Sequence, residues 1–348
     1  MNQRGLRAEY CAERAYPKTM LDVITHSGQF HADEVVATAL LEVLHGEPAR
    51  VTRTRSAHVI DAAPPTTYVI DVGGVYDPAR RRFDHHQREP VPHFDEAMPE
   101  ISAYPFRMSS CGLVWSEYGE MIVKGLGASP DTAEAAVETA YDNFFAAIDA
   151  HDNGVPYVVG NPDRNYAQPL HLSYCLGLFN NQMDQDVAFV AAVGHAKTLV
   201  LLYLNRMIAK VAEFASESDR LHEALVGAFE DPDNQGCLVL DFPSRCVNEY
   251  LRRADPRQHI KTIVLPSGDD SGTWRVHTVD YHHRRFATYA PIAPVPAHLE
   301  PRIQFVHNNL FMAVALDREA AIELAELTLT HYFRLGNTAH RVWRWMST

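Results

Sequence analysis

The chain has 348 residues, 46% of them hydrophobic and 22% charged, with 31 Lys and Arg against 44 Asp and Glu for a net charge of -13. That length can bury two cores, the composition is ordinary for a soluble globular protein, and the acidic balance argues against a strong duplex-DNA-binding surface. Cys11, Cys111, Cys175, Cys237 and Cys246 are widely spaced without a CxxC pair, so they read as reduced thiols of a cytoplasmic protein and not as a zinc ribbon.

Residues 1–18 read as a loose arm in which Glu9 and Glu13 interrupt Arg4, Arg7 and Arg14. No window reaches 18 consecutive apolar residues, and neither a signal peptide nor a membrane span is expected. Residues 20–24 form a short apolar strand that runs through Thr25-His26-Ser27-Gly28-Gln29-Phe30-His31-Ala32-Asp33-Glu34 into an apolar helix over 35–44. Strand, glycine turn and helix start is how a parallel sheet presents polar groups from its C-terminal edge. His26, His31 and Asp33 can converge on a metal there, while Glu34 serves equally as a charge at the helix N-terminus. Residues 48–55 predict a second strand and exit loop. Its Arg53 and Arg55 alternate onto one side, either to hold an acidic substrate group or as solvated strand-end charges.

Val69 and Ile70 end a buried strand, and Gly73-Gly74 break it so that Asp71 stands at its tip. Arg80, Arg81 and Arg82 read as a solvated turn. Asp84-His85-His86 follows, a ligand density suited to manganese, iron, cobalt or zinc more than to calcium. The proline-rich run 90–106 reads as a loop, 109–122 as a helix packed through Leu113, Trp115 and Ile122, and 131–148 as a helix that delivers Asp149. Asp152 lies three residues further on, and Gly154 is the stop signal.

Residues 155–185 read as loop-rich, with His171 a turn or core-edge residue. A long helix over 186–216 marks the boundary between the halves, and a second helix covers 218–229. Strands over 237–242, 260–265, 274–281 and 303–307 and a helix over 317–332 make a smaller C-terminal unit. Asp280-Tyr281-His282-His283 imitates the upstream triplet, but no other carboxylate-bearing strand tip accompanies it, so it reads as coincidence.

In order, His26, His31 and Asp33, then Asp71, then Asp84-His85-His86, then Asp149 resemble the signature of the DHH phosphoesterase superfamily. Closer still is the resemblance to the melanocyte proliferating gene family. It is carried by the 25–34 segment, Arg53-Thr54-Arg55, Val69-Ile70-Asp71-Val72-Gly73-Gly74-Val75-Tyr76-Asp77-Pro78, Arg82-Phe83-Asp84-His85-His86-Gln87-Arg88, Ser109-Ser110-Cys111-Gly112-Leu113 and Ile148-Asp149-Ala150-His151-Asp152-Asn153-Gly154. Beyond residue 235 the landmarks thin to Trp274 and Phe305-Val306-His307-Asn308-Asn309-Leu310-Phe311, and the glycine pair expected next is replaced by Met312-Ala313-Val314.

The resemblance implies an α/β protein: a mostly parallel-sheet DHH-like catalytic domain over 20–215, with a smaller α+β substrate-binding domain over 236–340 across a cleft. It implies a metal-dependent phosphodiester hydrolase, a 3′ to 5′ exonuclease acting on RNA, short oligonucleotides or dinucleotides. Two divalent ions are expected, manganese ahead of magnesium, cobalt or zinc, with Asp71 shared between them. His26, His31 and Asp71 would form one side, and Asp33, Asp71, His86 and Asp149 the other, with Asp152 the competitor of Asp149. His85 is expected behind the ligands or as the donor to the leaving oxygen. His307 would meet the substrate phosphate, with Arg53 or Arg55 assisting. The expected partner is a nucleotide or short single-stranded RNA, with no membrane, and a homodimer stays open. The same His and Asp set also fits a metal-dependent hydrolase of amides or small phosphoesters, or a metal-binding protein without turnover.

Overall fold

The structure, a computed structural model, describes residues 20–87, 106–155, 171–181, 184–269, 271–279 and 290–335. The N-terminal arm, nearly all of the 90–106 run, most of the 155–185 segment and the triplet at Asp280 therefore lie outside the described residues. Two compact units divide the chain at residues 212 and 213.

In the first unit, β1 (Asp22–Thr25), β2 (Arg50–Arg53), β3 (Tyr68–Ile70), β4 (Tyr76–Asp77) and β5 (Arg82–Phe83) make one sheet in the order β2-β1-β3-β5-β4. All its pairings are parallel except β4 with β5, with Asp22 opposite Arg50, Val23 opposite Tyr68 and Val69 opposite Arg82. Parallel pairing puts the C-terminal ends of β1, β3 and β5 on one edge, so His26, Asp71 and Asp84 emerge side by side.

Helix α1 (Ala32–His45) starts where Glu34 Oε1 accepts from the His31 backbone N–H at 2.9 Å, and ends at Gly46 in the left-handed conformation that glycine adopts without penalty. A short α2 (Ala57–Asp61) follows β2, and α3 (Ser110–Gly125) and α4 (Pro130–Ala140) follow the sheet. A single π-helical turn, Tyr141–Phe145, joins α4 to α5 (Ala146–Asp152), and α6 (Leu172–Gly177) comes next. Leu40, Leu41, Ile70, Phe83, Trp115, Phe145 and Phe189 are wholly buried in this unit's core. Each such side chain contributes about 1.5–3 kcal/mol.

Helix α7 runs unbroken from Gln185–Glu230, where the sequence predicted two helices. The expected break at Ser216-Glu217-Ser218 contains no proline or glycine. Ser216 Oγ instead returns its hydrogen bond to Glu213 O within the helix, at 2.8 Å. By length and composition α7 is apolar enough to cross a membrane, and Phe189, Ala192, Val193, Ala196, Val200 and Leu204 show where much of that apolarity goes, into the first unit's core.

The second unit holds β6 (Cys237–Val239), α8 (Val247–Ala254), β7 (Thr262–Pro266), β8 (Trp274–Thr278), β9 (Ile303–Val306), β10 (Met312–Ala315) and α9 (Arg318–Leu335). The sheet order is β6-β7-β8-β10-β9, parallel at β6 with β7 and antiparallel elsewhere. Strand alternation separates two cores: Ile263 and Leu265 belong to one with Leu221 and Leu225, Val264 to the other with Leu324. Where the resembling family has its glycine pair, this chain builds β10, whose Ala313 and Ala315 are buried in the Leu324 core.

Candidate metal centre

The edge of the first sheet opens into a cavity of about 990 Å³ lined by His26, His31, Asp33, Arg55, Asp71 and Gly73, and by Asp84, His85, His86, His151, Asp152 and Asn180 among others. Asp71 lines it in a left-handed conformation, φ 53°, a region that Asp and Asn enter more readily than other non-glycine residues. Gly73 and Gly74 continue the turn, and Gly74 N donates to Asp84 Oδ2 at 2.5 Å.

Four imidazoles surround that carboxylate or its neighbours. His26 Nε2 lies 2.9 Å from Glu34 Oε1 and 3.3 Å from Asp71 Oδ2. His85 Nε2 is 3.3 Å from Asp71 Oδ1 and 3.2 Å from Asp152 Oδ2. His86 Nδ1 is 3.3 Å from Asp71 Oδ1 and 2.8 Å from Asp84 Oδ1. His31 joins from the N-terminus of α1, and three overlapping groups of potential ligand atoms result: His26, His31, Glu34 and Asp71; Asp71, His85 and His86; and His31, Asp33 and Asp152. Within each group the atoms lie within 4.8 Å of one another.

The electrostatics are those of an acidic pocket that wants a cation. Burial pushes Asp33 well above the usual carboxylate range, and the nearby Asp71, Glu34 and Asp152 charges push it further. Burial also raises Asp152. For His26, burial opposes protonation but hydrogen bonds to Asp71 and Glu34 outweigh it and raise its pKa to about 10. Asp71 moves the other way, held well below its ordinary value by His26 and His85 despite burial. Both oxygens of Asp33 and Oε2 of Glu34 are buried and receive no N–H donor. Buried acceptors in this number are rare unless something else meets them. Imidazole and carboxylate donors fit manganese, iron, cobalt or zinc, so the residues present suit a divalent ion.

Several expected site residues are placed elsewhere. Asp149 reaches none of the three groups: its carboxylate is fully buried and accepts from Ser109 N, Ser109 Oγ, Gly112 N and Tyr141 OH. Asp152 occupies the cavity instead. Arg53 is also not a cavity residue. Its guanidinium lies 5.3 Å and 5.1 Å from the ring centroids of Phe30 and Phe189, and it donates to Gly28 O at 2.5 Å and Gln185 O at 3.1 Å. Arg55 does line the cavity, bound to Ser27 O at 3.1 Å with its other nitrogen 3.0 Å from His26 Nδ1. His85 stands in one of the potential ligand groups, with Asp71 and His86. Asp84 is the residue behind: it holds Gly74 and His86. His307, in the second unit, receives the Asn309 N–H on Nδ1 at 3.1 Å and packs on Phe311 with centroids 4.3 Å apart.

Glu34 enters the ligand groups although its position at a helix start disguised it. Asn180 gave no local signal at all. From 150 residues away it clamps the loop before α1, accepting from Phe30 N at 3.0 Å and donating to Phe30 O at 2.8 Å.

Comparison with known proteins agrees in kind. The profile of MYG1_exonuc, described as Uncharacterised protein family (UPF0160), matches residues 22–329. The "MYG1 exonuclease" of Rattus norvegicus is 31% identical over 334 residues, spanning 88% of this chain and 84% of its own length. That of Homo sapiens is 30% identical over 332 residues, spanning 88% and 85%. Among solved structures, exonuclease RecJ bound to manganese is similar at 14% identity over 90% of each chain with a TM-score of 0.25, too distant a likeness to place any residue.

Proposed function

We propose that this chain, which belongs to the MYG1 family (UPF0160), is a divalent-metal-dependent phosphodiesterase that removes nucleotides from the 3′ end of short single-stranded RNA. Metal-dependent hydrolysis in general is supported by the family and by the three ligand groups. The narrower reaction draws on the exonuclease names of the rat and human relatives and on the DHH-like order of the motifs. One observation carries the reading: both oxygens of Asp33 and Oε2 of Glu34 are buried and receive no N–H donor, and these two residues stand in the ligand groups with His31, Asp152, His26 and Asp71.

Two divalent ions, manganese in this reading, would be held by His26, His31, Glu34, Asp71, His85 and His86 with Asp33 and Asp152, and Asp71 would serve both. Such ions supply an activated water near neutral pH and charge stabilisation at phosphorus. The chain's own part is orientation and exclusion of wrong geometry. Asp84 fixes the imidazole of His86 through its 2.8 Å contact, and Asn180 fixes the His31 loop. Arg55 is the one Lys or Arg among the described lining residues, which makes it the group to hold a non-bridging phosphate oxygen. The net charge of -13 favours a short strand gripped locally over a long one gripped electrostatically.

The test is metal analysis of the purified protein, followed by assay on 5′-labelled single-stranded RNA, dinucleotides and acetylated peptides. Release of mononucleotides from the 3′ end, dependent on added manganese, is expected. Turnover of the peptides alone would replace the phosphodiester reading with an amidohydrolase. Stoichiometric metal without turnover of any substrate would leave a metal-binding protein.

A further inference from the structure

Asp149 is the buried carboxylate that the centre does not use. It sits in α5, fully buried, and four donors converge on it: Ser109 N at 3.2 Å, Ser109 Oγ at 2.6 Å, Gly112 N at 3.1 Å and Tyr141 OH at 2.8 Å. Ser109 is the N-cap of α3 and Gly112 lies in its first turn, so the carboxylate closes the positive end of a neighbouring helix in place of a side chain from that helix itself. The fit is tight. A Cβ on Gly112 would stand 2.1 Å from Asp149 Oδ2 and 2.8 Å from its Cγ, so only glycine leaves room for the carboxylate.

The fourth donor comes from the π-helical turn that joins α4 to α5. Such a turn carries an extra residue and resets the phase of the helix that follows, so the orientation of α5 needs an independent constraint. Tyr141 OH supplies one end of it and α3 the other. The far end of α5 is tied as well, because Asn153 Nδ2 donates to Arg107 O at 2.9 Å, just ahead of α3, and to Asp149 O at 2.8 Å. Asp152 follows Asp149 by three residues, roughly 60° around an α-helix. That offset lets one carboxylate enter the end of α3 while the other reaches the cavity with His31 and Asp33.

We propose that Asp149 is a positioning residue: by locking α5 onto the N-terminus of α3 it sets the rotation of that helix and so holds Asp152 at ligand distance in the centre. The proposal rests on the reading of that centre as a metal site. Asp149 itself touches neither metal nor substrate. Gly112 and Tyr141 act with it, the first by leaving space and the second by fixing the phase across the π turn.

The experiment measures manganese affinity of the full chain by calorimetric titration, with far-UV circular dichroism as the fold control. Asp149→Ala and Gly112→Ala are each made in the wild-type and Asp152→Ala backgrounds, and Gly112→Ala carries the test if Asp149→Ala does not fold. In the wild-type background each should weaken manganese binding about tenfold or more, the loss typical of a displaced supporting group. In the Asp152→Ala background the further loss should stay below about twofold, because residues acting through one another are not additive. Asp149→Asn keeps an oxygen for Ser109 and Gly112 and should retain wild-type affinity within about threefold. Equal losses in both backgrounds would assign Asp149 a general structural role and overturn the proposal, as would wild-type affinity in Gly112→Ala. Wild-type affinity in Asp152→Ala alone would remove the ligand assignment itself, and the proposal with it, a result separate from either of those.

Discussion

Asp71 offers the sharpest perturbation, because its two oxygens face different partners. Oδ2 lies 3.3 Å from His26 Nε2 and Oδ1 lies 3.3 Å from both His85 Nε2 and His86 Nδ1, and the residue belongs to two of the three ligand groups. The variant of choice is Asp71→Asn. Asparagine tolerates the φ of 53° seen here, whereas alanine would add about 1 kcal/mol of backbone strain to any effect of charge. Removing one partner of a buried, charge-bearing cluster costs about 3–5 kcal/mol, so manganese affinity should fall roughly 100- to 5000-fold. If the residue is shared, bound metal should drop from two ions toward none and not from two to one. Asp84→Ala is the control, since Asp84 only braces His86 and Gly74, and a loss of about 10- to 100-fold is expected there. Plasma emission analysis of both variants after dialysis gives the stoichiometry, and titration gives the affinity. Undiminished metal content in Asp71→Asn would refute the shared-ligand reasoning.

Metal affinity should rise with pH, because His26, raised to about 10, and Asp33, raised by burial and neighbouring carboxylates, must shed protons to accept a cation; titrations at about pH 6 and about pH 8 that gave equal affinity would contradict this. The metal-free fold should show the converse. The His26 contribution to stability is fully present below its ordinary 6.5 and fades as pH rises through about 10, which denaturant midpoints measured across that window would register. For Asp149, burial raises the pKa from 3.8 to about 7 against hydrogen bonds from Ser109, Tyr141 and Gly112, so its contribution is present below 3.8 and lost through about 7, and Asp149→Asn should flatten that part of the stability profile. Arg53→Lys should lower stability by about 2–4 kcal/mol while leaving manganese affinity unchanged, since lysine cannot reproduce a planar guanidinium between two phenylalanines. Loss of metal binding in a folded Arg53→Lys would return that residue to the site.

The parts of the fold that were legible are those whose signal is local. The strand before His26 and the strand ending at Asp71 are short apolar runs closed by glycine-containing turns, and their parallel pairing follows from the helix that connects β1 to β2. The unbroken α7 was not legible, because serines are weak helix formers without being breakers, and nothing in Ser216-Glu217-Ser218 says which way the balance falls. In the second unit β10 was hidden by comparison with a family pattern: glycines were expected at 312–314, while the residues actually present alternate as a strand against Leu324.

In the site, the line between legible and illegible is drawn by which neighbour a polar residue finds. Arg53 and Arg55 share a strand end and a side, and both reach the loop at Ser27 and Gly28. Phe189 then arrives from α7 and closes over Arg53 with Phe30, leaving a side chain only 2% exposed, while Arg55 keeps its place on the cavity. The carboxylates of α5 separate in the same way. Spacing alone makes Asp149 and Asp152 equal candidates, but Asp149 meets the open N–H groups of α3 and takes three protein donors on Oδ1 and one on Oδ2, whereas Asp152 meets His31, Asp33 and His85. A carboxylate held inside the core by protein donors on both oxygens is turned away from a cation in the cavity. Asp33 keeps both oxygens and Glu34 keeps Oε2 without an N–H donor, and those acceptors mark the centre more surely than the motif does.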